Sequence, residues 1–124
     1  MKKVYNKLVR DKMMDIWDND KKIGGVYDDI SYKYISKEEI LEKLKDKINE
    51  EVQEVIESYD KTDKSDLKEE LGDLIEVIDA VLHHNNISLE EVLKIRDEKK
   101  KIRGGFENGL YLEWVDYVEG YMKK

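Results

Sequence analysis

The chain has 124 residues, with 23 basic against 30 acidic side chains, a net charge of −7, and neither cysteine nor proline. This is one domain's length; it excludes disulfides, thiolate metal sites and cysteine nucleophiles, and its acidic balance excludes a general nucleic-acid binder. With 40% apolar and 43% charged residues the core is thin, so pairing with copies of itself is expected to complete a single domain over residues 1–124.

Lack of proline suits long helices. No apolar run reaches the roughly 20 residues that span a bilayer, and the opening Met1-Lys2-Lys3-Val4-Tyr5-Asn6 lacks the apolar stretch of a signal peptide. A cytoplasmic protein without a membrane partner is expected.

In chain order, Leu8, Val9, Met13, Ile16 and Trp17 fall at helical spacing and predict a first helix from Val4 to about Asn19. Lys21 to Tyr34, with Gly24-Gly25 and scattered tyrosines, reads as an irregular connection, part of which could pair as a strand. Ser36-Lys37-Glu38-Glu39 is a capping box that opens a second helix, and Leu41, Leu44, Ile48, Val52, Val55 and Tyr59 form its inward stripe. After a polar turn from Asp60 to Ser65 comes a third helix with Leu67, Leu71, Leu74, Ile75, Ile78, Val81 and Leu82 inward, ending near Asn85-Asn86. Ser88 to Glu91 is a second capping box, opening a fourth helix that stops at Gly104-Gly105. Residues 106–124 are compatible with a strand, a helix or a partner-contacting arm.

Two carboxylate pairs stand out. Glu51 and Glu54 share one helix face, as do Glu70 and Asp73. The pairs lie at equal distances, about ten residues, on either side of a turn near Thr62, so an antiparallel hairpin sets them at equal height. Glu51 falls on the edge of the apolar stripe, whereas Glu50 points nearly opposite to Ile48. Glu70, Asp73, Val77 and His84 share one flank of the third helix beside its core stripe. Four carboxylates together repel one another unless a cation neutralises them, and all-oxygen donors suit Mg²⁺ or Mn²⁺. Each pair taken alone is equally compatible with a solvated helix face, because acidic residues are abundant.

Asn6-Lys7-Leu8-Val9-Arg10-Asp11-Lys12, Glu50-Glu51-Val52-Gln53-Glu54, Glu70-Leu71-Gly72-Asp73 and Lys99 through Arg103-Gly104-Gly105-Phe106 occur in that order. Together they resemble the all-α nucleoside triphosphate pyrophosphohydrolases, the MazG-like and phosphoribosyl-ATP pyrophosphohydrolase-like group, and most of all its small house-cleaning members. The resemblance spans residue 5 to about 112. It implies a four-helix bundle built on the hairpin, and Mg²⁺-dependent cleavage of a nucleoside triphosphate between the α and β phosphates. It also implies Glu51, Glu54, Glu70 and Asp73 as metal ligands, with Glu50 as an outer or water-orienting carboxylate. Relatives often carry Ile-Pro where this chain has Met13-Met14, which suggests a first helix continuing where theirs bend.

A triphosphate carries about four negative charges, so the site needs cations beyond the metal. The candidates for holding phosphate are Arg103, Lys100 and Lys99, with Lys101 in the same run, followed by Lys7, Arg10 and Lys12. Arg103 is favoured for its planar fork, although basic residues in a helix's last turn also complement its dipole. Asp11 and His84 are candidates for the substrate pocket, and Trp17 and Trp114 for walls of a base site, packing being the plainer role of each. Two other functions fit: the phosphoribosyl-ATP step of histidine biosynthesis, and a non-catalytic helical oligomerisation module with an acidic face.

Overall fold

A computed structural model describes residues 1–22 and 25–121. These hold four helices, α1 (Met13–Lys22), α2 (Lys37–Ser58), α3 (Ser65–His84) and α4 (Leu89–Arg103), and no strand among the described residues. The fold is all-α as expected, and no described helix is long and apolar enough to cross a membrane. The chain divides into two compact units, Met1–Leu89 and Glu90–Lys124.

The first helix is shorter at its start than its apolar spacing predicts. Residues 1–10 have no helical structure, and Asn6 takes a left-handed backbone conformation (φ 49°) that interrupts any helical path. Met13 begins α1, its N–H bonding to the Arg10 carbonyl at 3.0 Å, so the helix starts where it was expected to continue, and it runs past Asn19 to Lys22. Gly24, part of the expected connection, lies outside the described residues. Residues 25–36 are irregular, with Tyr32 beside Trp17 (ring centroids 6.3 Å apart).

The helix α2 starts on Ser36, whose Oγ accepts the Glu39 N–H at 3.2 Å. Glu39 completes the motif differently from the expected reciprocal amide bond: its Oε1 accepts from the Ser36 hydroxyl at 3.2 Å. The turn into α3 is held by Lys61 on Asp66 (2.8 Å) and by the Ser65 N–H on Asp63 Oδ1 (2.9 Å). At the far end Asn86 adopts the left-handed conformation (φ 56°), and the Ile87 N–H returns to the Leu82 carbonyl at 3.0 Å.

Packing of α2 on α3 departs from the expected stripes. The buried residues of α2 are Leu44, Glu51 and Ser58, which recur every seventh position along one face, while α3 buries Val77 and Leu82. Leu71, Ile75 and Ile78, expected inward, are 42%, 60% and 41% exposed, and Val52 and Tyr59 are also exposed. The helix α3 is therefore turned so that the flank of Glu70, Asp73 and Val77 meets α2. The carboxylates lie in the seam itself, and much of the apolar stripe faces outward.

In the second unit, α4 buries none of its residues. It ends at Gly104 (φ 82°), whose N–H bonds to the Lys100 carbonyl at 2.7 Å, a left-handed stop that glycine takes without a Cβ penalty. Residues 106–121 are exposed and form neither helix nor strand.

Candidate metal centre

Consecutive turns of α2 present Glu51 and Glu54, and consecutive turns of α3 present Glu70 and Asp73. The antiparallel hairpin brings them to one level. One carboxylate oxygen from each of the four lies within 4.8 Å of the others. Glu51 is 7% exposed and the other three are half-buried. Glu51 Oε2 and Glu70 Oε2 are shut off from solvent and have no hydrogen-bond partner. A buried carboxylate oxygen without a donor costs about 1–3 kcal/mol or more. Such atoms in the seam of a hairpin are satisfied by a proton shared within the cluster or by a positive ion.

The electrostatics point the same way. Burial pushes the Glu51 carboxyl above its usual range, and neighbouring Glu54 and Asp73 add to this against a smaller opposing pull from Lys47. Glu70 is pushed up to about 7. With both groups ionised there is no donor between Glu70 and Glu54; protonated, the Glu70 carboxyl donates to Glu54, which is the leading cause, followed by desolvation and by the charges of Glu54, Asp73 and Glu51. Without a cation the cluster holds a proton near neutrality. A divalent ion relieves the same repulsion, and the donor set of four carboxylates fits Mg²⁺ or Mn²⁺.

Glu50 stands outside the cluster. Lys7 Nζ reaches its Oε1 at 3.0 Å and Lys47 Nζ its Oε2 at 3.2 Å. Burial works to raise its pKa, but the two lysine hydrogen bonds outweigh this and hold it below the usual range. The same bond raises Lys7. Lys47 also lies 3.8 Å from Glu51, joining Glu50 to the cluster's edge. Sequence reasoning missed Lys47, although its place three and four residues before Glu50 and Glu51 was a legible signal.

Arg10 Nη2 meets Asp73 Oδ1 at 2.8 Å, so two of the basic candidates, Lys7 and Arg10, reach the carboxylate region from the irregular N-terminal segment. Asp11 and Lys12 lie in the exposed turn before α1. His84, half-buried at the end of α3, packs edge-on against His83 (4.9 Å). Lys99, Lys100 and Arg103 are exposed on α4 in the second unit, where Lys100 lies 4.0 Å from Glu107. Trp114 is exposed, and Trp17 is half-buried beside Tyr32.

A family model described as phosphoribosyl-ATP pyrophosphohydrolase matches residues 28–100, more than half of the chain. The match takes in all four carboxylates, Glu50, Lys99 and Lys100, and leaves Lys7, Arg10 and Arg103 outside. Neither a curated protein nor a solved structure shows a significant match.

Proposed function

Because the chain belongs to the phosphoribosyl-ATP pyrophosphohydrolase family, we propose that it hydrolyses a nucleoside triphosphate between the α and β phosphates, in a Mg²⁺-dependent reaction that yields a monophosphate and pyrophosphate. Pyrophosphohydrolase chemistry comes with the family; the substrate and the metal are our own reading. One observation carries it above the others: four carboxylates within 4.8 Å of one another, two with buried oxygens that lack any partner. An adaptor surface would have solvated carboxylates instead.

Glu51, Glu54, Glu70 and Asp73 would hold the cation. When bound, Mg²⁺ neutralises phosphate charge and lowers the pKa of water to supply a nucleophile. The chain's own residues do the remaining work. Glu51 is held rigidly by burial, and Glu50 orients Lys7 and Lys47 beside the cluster. Arg10 supplies a cationic donor for phosphate oxygens, with Lys7 held nearby on Glu50, and Lys99, Lys100 and Arg103 stay candidates read from the sequence alone. Mn²⁺ satisfies the same oxygen donors. House-cleaning of non-standard nucleotides is the physiological role we favour, in a cytoplasmic homodimer or dimer of dimers. The matched family's name favours phosphoribosyl-ATP as a second substrate to be tested alongside.

The test is a panel of common, deoxy, damaged and phosphoribosyl triphosphates with Mg²⁺, following monophosphate and pyrophosphate together. At least one should be converted to both products, and no turnover on any would sink the proposal. Outer partners of a metal typically contribute about 10–100-fold. Loss of a ligand in Asp73→Asn should therefore lower turnover by at least about 100-fold, with helix content unchanged by circular dichroism.

A further inference from the structure

We propose that residues 5–12 form a counter-ion strap in which Arg10 is the exchangeable partner of Asp73. It holds that carboxylate until a divalent cation is bound, and is then released to the substrate's phosphates. This rests on the reading above that the four carboxylates hold such a cation.

The two pins of the strap are unequal. Arg10 Nη2 sits 2.8 Å from Asp73 Oδ1, on a carboxylate of the cluster. Lys7 sits 3.0 Å from Glu50, which is outside the cluster and is held on its other oxygen by Lys47. A cation in the cluster therefore competes with Arg10 and leaves the Lys7 pin in place. Arg10 is open to solvent, its side chain 60% exposed, so exchange requires no unpacking.

The backbone permits the same movement. Residues 1–10 carry no helix, so no helical hydrogen-bond ladder fixes Leu8 and Val9 between the pins, while the Arg10 carbonyl stays bonded to the Met13 N–H. Two residues, Leu8 and Val9, separate Lys7 from Arg10, a tether of at most about 11 Å between their Cα atoms. Freed Arg10 thus stays within reach of the site, with its planar fork available to two phosphate oxygens. A divalent ion among the four carboxylates draws on the Asp73 charge and sets like charge beside the guanidinium on Oδ1, which weakens the Arg10 pairing even though Asp73 has a second oxygen to offer. Coupling of this kind is reciprocal: whatever the cation does to the strap, removing the strap does to the cation's affinity by the same factor.

The experiment titrates the full-length chain with Mg²⁺ alone by calorimetry and by the nitrogen–proton signal of the Arg10 side chain, in wild type, Arg10→Gln and Lys7→Gln. We expect Arg10→Gln to bind Mg²⁺ about two- to fivefold more tightly, the scale of an exposed ion pair. Lys7→Gln should change little, and Mg²⁺ should move the Arg10 signal towards that of free arginine. With Mg²⁺ saturating, tripolyphosphate should bind Arg10→Gln roughly tenfold or more weakly, as loss of a charge-assisted bond implies. Mg²⁺ binding that is equal in wild type and Arg10→Gln, or tightened equally by both variants, overturns the strap and leaves the metal assignment standing. Unweakened tripolyphosphate binding to Arg10→Gln also overturns it. No Mg²⁺ binding to wild type overturns both.

Discussion

Glu70 shows how one side chain reports on the whole cluster. Its carboxyl, ordinarily near 4.5, is raised to about 7 by sharing a proton with Glu54 and by the crowding of Asp73 and Glu51. A raised folded-state value means stability that is present below the unfolded value and lost as pH rises through the folded one. In metal-free protein the melting temperature should therefore fall between about pH 5 and pH 7.5, where Glu70 ionises against its neighbours. Glu50, held low by Lys7 and Lys47, works in the opposite sense and titrates at lower pH than Glu70. Saturating Mg²⁺ should flatten or reverse the slope, since a bound cation stabilises the ionised cluster. A metal-free melting temperature that rises steadily over the interval would contradict the crowding. That these four carboxylates converge was legible from their spacing about the turn. Their burial was not: Glu51 lies at the centre of α2's buried face rather than on the edge of an apolar stripe.

At the scale of elements, the boundaries of α2, α3 and α4 followed from local chemistry. Ser36 caps, Asn86 and Gly104 turn left-handed, and each signal acts within a few residues of itself. The start of α1 was misjudged because apolar spacing carries no account of the left-handed Asn6 or of ion pairs to distant helices. Gly72 offers a test of element stability. It lies inside α3 beside Asp73, and a Cβ built there meets nothing within 4 Å. Gly72→Ala should therefore stabilise the chain by about 0.5–1 kcal/mol, through helix propensity and a less flexible unfolded state. Chemical denaturation measures this. A loss of stability would show that the open space is filled in the assembled protein.

The whole molecule is short of core for its length. Leu44, Val77 and Leu82 are its buried apolar residues among those described, while Val52, Ile56, Tyr59, Leu71, Ile75 and Ile78 stay exposed along α2 and α3. Placing carboxylates in the seam leaves those side chains outward, on a face that the proposed oligomer would bury. The oligomer proposed from composition therefore gains a specific surface. Ile75→Glu should shift the protein to a smaller species in sedimentation or light scattering and lower its melting temperature by several degrees, about 4–8 °C per kcal/mol lost. A monomeric wild type, or an unchanged assembly in the variant, would remove that face from consideration.

The sequence by itself determined the all-α fold, the limits of the three later helices and the four carboxylates. Caps, periodicity and equal spacing about a turn depend on neighbours along the chain. Only the tertiary structure decided which face of α3 meets α2, that two carboxylate oxygens are buried without a partner, and that Lys7 and Arg10 reach Glu50 and Asp73. Those outcomes depend on how one helix rotates against another and on contacts across 43 and 63 residues, which no local pattern encodes.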